Sequence, residues 1–501
     1  MTPARARRLT LVGSVLGAAV VALDGTVLTV AQPSLRRDLN TSLAAVQWTS
    51  TAYLVTVAAL LVFAGRLGDR FGHRRVFAIG AIGFGATSAG IGLAPGIGWM
   101  IGLRVLQGVA GALLQPATLG LLRAVYPAEL LARPIAWRTS AIGLSAAAGP
   151  LVGGALTAQL GWRSVFFLTV VPAAVAGVSA LLVRLPPSAE ETGAERADGA
   201  VAGTKGTGAE VAGGAGTAAP TPGAGLDLPG AVLLGGALAA LVFTLAGVPE
   251  HGPSPAVWLG LATATALGTA FLRHERRTRH PLLPPAVLRA PTVAPALGVL
   301  LTASAALFGT LFLVTYFLQD VLTLDPLACA VRALPLALAM VVAAPASAAL
   351  SRRHGPRRTV VAGMSSLTLG TLVASGFRPD TPVLMTSAAF LLLGAGFGAV
   401  MATATTAVVR AAPLGAAGVA GGLQQTAMNI GPALGVAAAT TLAAGRPPAE
   451  ALTPALITLA AAGATGILLA TRLPPPDGPS TRRTRTRPRT RTRTRTRTPG
   501  H

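Results

Sequence analysis

The sequence predicts an all-α membrane protein with fourteen transmembrane helices in a 6+2+6 arrangement, and three observations predict it. The 501-residue chain is 52% hydrophobic and 11% charged, with a mean hydropathy of +0.63, well outside the range of soluble proteins. Apolar runs long enough to cross a bilayer recur along it, separated by short arginine-bearing loops. One of those loops returns later in the chain as a diluted copy of itself.

A hydrocarbon core of roughly 30 Å needs about 20 apolar residues as helix. With that window the spans fall near residues 9–31, 46–65, 76–94, 98–122, 136–158, 164–184, 228–248, 255–272, 293–317, 330–350, 358–377, 382–409, 416–444 and 449–471. The organisation that follows is a six-helix bundle over 1–184 and a disordered cytoplasmic linker over 185–227. Two extra central helices with a basic loop occupy 228–292, a second six-helix bundle 293–471, and a disordered Arg/Thr-rich cytoplasmic tail 472–501. The linker is rich in Gly, Ala, Thr, Pro and Glu with no apolar period, a composition that cannot bury a core.

Arginines set the orientation. Arg5, Arg7, Arg8, the 66–75 cluster, Arg133, Arg138, the 273–289 loop and Arg352–Arg358 fall on one side of the span pattern, with few on the other. The positive-inside rule then puts both termini in the cytoplasm and the protein in the cytoplasmic (inner) membrane. No cleavable signal is recognisable before the first span. The single Cys329 rules out an internal disulfide or a zinc cluster.

Residues 65–75 read Gly-Arg-Leu-Gly-Asp-Arg-Phe-Gly-His-Arg-Arg. Gly65, Gly68 and Gly72 allow tight turning and close helix approach, and Asp69 is the one acid among Arg66, Arg70, Arg74, Arg75 and a histidine. Residues 350–358 align with 67–75 at a constant offset of 283, with Arg352 where the first copy has Asp69. Two related halves are implied, as in transporters built from repeated bundles.

Carboxylates are scarce, and only Asp24 falls squarely inside a predicted span. A carboxylate in lipid is expensive and by default functional, and burial favours its neutral form, as a proton-coupled site requires. Arg104 is the only charge of the fourth span and must likewise face the interior. Ser145, Gly149, Pro150, Gly153 and Gly154 in the fifth span have the small-residue spacing of close helix packing with a proline bend.

These stretches resemble known ones. Residues 65–75 resemble the signature loop between spans 2 and 3 of major facilitator superfamily transporters. In that family the loop acid pairs with basic residues and a helix N-terminus and helps hold one of two alternating states. Residues 23–33 around Asp24, the Arg104-Val-Leu-Gln107-Gly108 run, the 148–154 run and Gly161-Trp162-Arg163-Ser164-Val165-Phe166 resemble motifs of the fourteen-span drug:proton antiporter family. So do Asp227-Leu228-Pro229-Gly230, residues 317–335 and residues 421–435, with Ser145, Thr29 and Met428 as departures. The resemblance implies a major facilitator fold and a proton-coupled antiporter that exports small amphiphilic drugs or antibiotics by alternating access. Asp24 and Arg104 would couple protons. Gly65, Gly68, Asp69, Arg70, Gly72, Arg74 and Arg75 would form a cytoplasmic gate, and Gly149, Pro150, Gly153 and Gly154 the antiporter motif. Thr26, Gln107, Gln319, Gln424, Gln425 and Asn429 are candidate cavity groups. An importer or metabolite exporter on the same fold, or a scaffold acting through its tail, are the alternatives.

The expected partners are an amphiphilic small molecule, protons and membrane lipid, for a monomeric chain that takes no cofactor and no metal. The tail, with nine arginines between Arg482 and Arg497, would be drawn to anionic lipid. It lacks the aromatic residues that stack on bases, so nucleic acid is not expected. No enzyme motif survives: Gly394-Ala-Gly-Phe-Gly398 lies within an apolar span, the glycines around Lys205 lack P-loop spacing, and His274-Glu-Arg-Arg-Thr278 lacks zinc spacing.

Overall fold

An apolar run in lipid can satisfy its backbone only as a helix or a closed barrel, and this chain takes the helical solution. The computed structural model describes residues 2–183 and 227–474, apart from residues 253, 279, 280, 325 and 445–447. The expected linker and nearly all of the expected tail lie outside the described residues. Among those described there is no strand, and fourteen helices have 20 or more residues. They are α1 (Pro3–Asp38), α2 (Leu43–Phe71), α3 (His73–Gly92), α4 (Ile97–Val125), α5 (Ala132–Leu160), α6 (Arg163–Leu182), α7 (Leu228–His251), α8 (Pro255–Glu275), α9 (Val293–Tyr316), α10 (Pro326–His354), α11 (Pro356–Ser375), α12 (Val383–Ala411), α13 (Ala417–Ala443) and α14 (Pro448–Thr471). Each expected span has its helix, within a few residues.

Eleven helices are long and apolar enough to cross a membrane by length and composition, and twelve if a bent pair within residues 128–160 is one span. The exceptions have a physical reason. α13 carries Gln424, Gln425 and Asn429, α11 opens on Pro356-Arg357-Arg358, and α5 carries two arginines and bends by 45° between Ala146 and Leu151, where Pro150 lacks the N–H a straight helix needs.

The two halves pack alike. In the first, α1 touches α4, α5 and α6, while α3 touches α4 and α6, and α2 touches α4. In the second, α9 touches α12, α13 and α14, while α11 touches α12 and α14, and α10 touches α12. This is the same neighbour pattern shifted by eight helices, and the turns agree with it. Gly72 (φ +91°) separates α2 from α3, and Gly355 (φ +85°), 283 residues later, separates α10 from α11. Both occupy the left-handed region where only glycine is unstrained.

The halves meet through α5 on α10 and α2 on α13, a pair of contacts related by the same repeat. α7 packs on α8 and lies against both α2 and α13, so the central pair flanks the seam. Asp227 caps α7 by accepting the Gly230 N–H at 2.9 Å, and His274 at the end of α8 reaches Asp227 at 2.8 Å. At the opposite end of the bundle Asp38 is held below the usual carboxylate range by the Trp162 indole N–H and by Arg163.

Close approach within a half depends on glycine. A Cβ on Gly435 of α13 would collide with the Ala305 carbonyl of α9, whereas one on Gly268 of α8 would meet nothing within 4 Å. Gly435→Val should therefore cost about 1–3 kcal/mol and lower the melting temperature of the purified protein, with Gly268→Val unchanged; equal melting of the two would discount the packing argument.

Candidate functional site

α1, α2, α3 and α4 all deliver groups to a single point. Asp24 on α1 is 4% exposed and Arg104 on α4 is 1% exposed. Arg104 Nη1 donates to Asp24 Oδ2 at 2.7 Å and Arg104 Nε donates to the Thr49 carbonyl of α2 at 2.9 Å. Gln107, one helical turn beyond Arg104, accepts from the same guanidinium. Its Nε2 donates to Asp24 Oδ1 at 3.1 Å and to Ser88 Oγ of α3 at 2.7 Å. The Tyr53 ring of α2 stacks 4.6 Å from the guanidinium carbon. Both carboxylate oxygens are thus engaged and the cation is hydrogen-bonded and stacked, which is how a membrane interior tolerates charge. Asp24 and Arg104, expected as interior groups, form one ion pair, and Gln107 belongs to this network.

The loop-end site lies across the two halves. Asp69, near the end of α2, accepts from the backbone N–H groups of Gly418 at 2.7 Å and Val419 at 3.0 Å, in the first turn of α13. Negative charge is stabilised there by the free N–H groups and the helix dipole. His73 Nε2 lies 3.3 Å from the same carboxylate. The approach requires Gly65, because a Cβ there would collide with the Gly418 carbonyl, and Gly68 leaves room for the His73 ring. Arg74 donates to the Val183 carbonyl at 3.0 Å, Arg70 lies over Phe71, and Arg75 is exposed. In this conformation the halves are joined at the end that carries the 65–75 loop.

Gly149 and Gly153 of α5 face α1, where a Cβ on Gly149 would collide with Thr26 and one on Gly153 would press on Val27. Thr26 donates back to the Ala22 and Leu23 carbonyls of its own helix. Gly154 is half-buried. The expected cavity groups therefore do not form one set. Thr26 lies in the α1–α5 contact, and Gln425 of α13 bonds Gln115 of α4 across the halves. Asn429 donates to the Gln425 carbonyl at 2.8 Å, and Gln424 is fully buried with neither amide atom bonded. Gln319 is exposed on a short π-helical segment, Phe317–Val321, that follows α9.

Sequence reasoning missed Ser88, Tyr53 and Gln115. Gln115 lies eight residues beyond Gln107, so helical spacing alone would have placed it on the same face of α4. Arg138, counted above with the cytoplasmic loop arginines, is instead buried within α5 at 2% exposure.

A family model described as Major Facilitator Superfamily matches residues 14–436 and 338–497. The chain is 38% identical over 438 residues to the tetracenomycin C resistance and export protein of Streptomyces glaucescens, covering 87% of this chain and 76% of that one. It is 35% identical over 434 residues to the puromycin resistance protein pur8 of Streptomyces alboniger, covering 85% and 80%. The multidrug efflux pump LfrA of Mycolicibacterium smegmatis is 29% identical over 427 residues, covering 84% and 78%. Among solved structures, the human organic anion transporter MFSD10 superposes with a TM-score of 0.62 at 14% identity, over 94% of this chain and 100% of that one, a likeness of fold.

Two outcomes follow from the geometry. Asp24→Asn or Arg104→Met alone leaves a buried charge uncompensated and should destabilise by about 3–5 kcal/mol, while the double variant recovers most of that loss; additive melting shifts would mean the two groups are not coupled. Removing the Asp69 cap with Asp69→Ala should weaken loop-end closure by about 0.5–2 kcal/mol. In a Cys329→Ser background, a cysteine at position 140 on the seam should then react roughly 2–30 times faster with a water-soluble maleimide, and an unchanged rate would discount the clasp.

Proposed function

The chain belongs to the major facilitator superfamily and is a multi-pass membrane protein, and on that footing we propose that it is a proton-coupled antiporter exporting small amphiphilic drugs or antibiotics from the cytoplasm. The observation that carries the proposal is the buried Asp24–Arg104 pair, the one carboxylate within the apolar core of α1–α6 and held by a cation on a different helix. Relatives named for resistance, export and efflux support the direction.

In this reading all fourteen long helices span the membrane as 6+2+6. α5, α11 and α13 are included because each has a counterpart helix in the repeat, α13, α3 and α5 respectively, with matching neighbours. Both termini and the 65–75 loop face the cytoplasm. The described conformation is then closed to the cytoplasm, with Asp69 on the α13 N-terminus as its latch.

Proton uptake by Asp24 from the opposite side breaks its pair with Arg104 and leaves the guanidinium with Gln107 and the Thr49 carbonyl. The changed contacts among α1, α2 and α4 favour parting of the α2–α13 and α5–α10 seams. The cavity opens inward, loads its substrate, and releases the proton into the cytoplasm. Exchange of one proton for one neutral molecule draws on about 2.3 kcal/mol per 100 mV of membrane potential together with the pH gradient.

The test is energised efflux of a panel of fluorescent amphiphiles, cationic, neutral and anionic, from cells expressing wild type or Asp24→Asn at matched membrane levels. Efflux by the wild type that is lost in the variant, with binding retained, is expected. Equal efflux from both removes Asp24 from coupling, and no wild-type efflux of any member of the panel sinks the export reading.

A further inference from the structure

One charge in the helical core has no partner. Arg138 of α5 is 2% exposed, and its Nε and Nη1 make no hydrogen bond. Its guanidinium cannot shed the proton to escape the cost, and an unpaired cation away from water is strongly unfavourable.

No described helix packed against α5 offers it an anion. α6, α10 and α12 contain no Asp or Glu. The acids of α1 are Asp24, already bound to Arg104, and Asp38, bound to Trp162 and Arg163 at the far end. Glu129, in the turn before α5, is exposed.

The surroundings of Arg138 have the character of a receptor. Arg138 follows Leu131 and Ile135 on one stripe of α5, and those two pack with Leu119 and Leu122 of α4 and Val409 of α12. Thr139 lies one turn beyond Ile135 and Ala136, whose apolar clusters include Val409 and Ala402 of α12. Thr405 of α12 lies between Ala402 and Val409 in the chain. Both hydroxyls are 1% exposed and neither has a hydrogen-bond partner. Along this part of α5 and α12 lie one buried cation and two buried hydroxyls without partners. An unpaired buried cation among apolar walls is a ready partner for an anionic group.

We propose that Arg138 receives the negatively charged group of an amphiphilic anion such as a carboxylate, so that acidic amphiphiles are the preferred load. The proposal rests on the export reading for direction only. Asp24 is compensated by Arg104 and Asp69 by the α13 N-terminus, so among the described residues Arg138 leaves the core with an uncompensated positive charge that repels cations. The site lies in the loop-end half beside the α5–α10 seam, where Ser140 Oγ donates to the Val341 carbonyl at 2.8 Å. Parting of that seam exposes it to the side from which an exporter loads.

The test uses the purified full chain in neutral detergent and follows its melting temperature with decanoate, decylammonium or sodium chloride, for wild type, R138Q and R138K. Decanoate should stabilise the wild type and decylammonium should not. R138Q should raise the half-maximal decanoate concentration by at least about tenfold, with R138K retaining most of the response. Without ligand, R138Q should melt no lower than the wild type, because it removes an unpaired buried charge. An equal decanoate response in wild type and R138Q, stabilisation by decylammonium, or no response to decanoate overturns the proposal. A shift reproduced by chloride makes this an inorganic-anion site and overturns it too, and a lower-melting or unfolded R138Q marks a structural cation. Decanoate binding without dye efflux would sink export and keep the site, and efflux without a decanoate response would do the reverse.

Discussion

The Asp24–Arg104 ion pair is the interaction on which the first half of the molecule depends. Lipid offers no substitute partner for a carboxylate or a guanidinium, so the helices that carry them must stay together or exchange those partners for others. Because Arg104 also binds the Thr49 carbonyl and Gln107 reaches Ser88, the pair fixes α1, α2, α3 and α4 at one depth. A change in the charge of Asp24 is therefore felt by four helices at once. A carboxylate bonded only to a hydroxyl of its own helix would carry no such message.

The second constraint is the repeat. Two halves with one neighbour pattern supply two equivalent seams, α5 on α10 and α2 on α13. Their end loops are not equivalent. Asp69 in the first copy has Arg352 as its counterpart in the second, so the latch to the α13 N-terminus has no mirror at α5. One side chain can then bias closure at that end without locking the whole molecule.

The helices were legible in the sequence because their signal is long and local: an apolar run of span length admits one secondary structure, and Gly72 and Gly355 mark matching turns. Their ends were less so. α1 runs from Pro3 to Asp38 rather than 9–31, continuing past Pro33 through Leu35-Arg36-Arg37-Asp38 beyond the apolar window. Pairings were not legible, since Asp24 and Arg104 are 80 residues apart and Asp69 and Gly418 are 349 apart. Arg138 was misplaced for a related reason. A charge near the end of a window looks like loop, and only the packing of α4 and α12 around α5 shows that it is inside.

The composition of the seams explains why a protein with this many buried helices can still move. Within each half the core is built from large side chains, such as Phe77 with Leu114 on one side and Phe390, Leu393 and Phe397 on the other. Between the halves the cluster of α5, α10 and α12 is alanine, from Ala136, Ala344, Ala348 and Ala402, and the α2–α13 contact is backbone on backbone at Gly65 and Gly418. Separating two small-residue faces forfeits little van der Waals contact, because alanine and glycine have few side-chain atoms to make it. What holds the seam is then a few directional bonds, Asp69 to two amides, Ser140 to a carbonyl and Gln115 to Gln425. Each of these is a single directional bond, in contrast to the large apolar clusters inside each half.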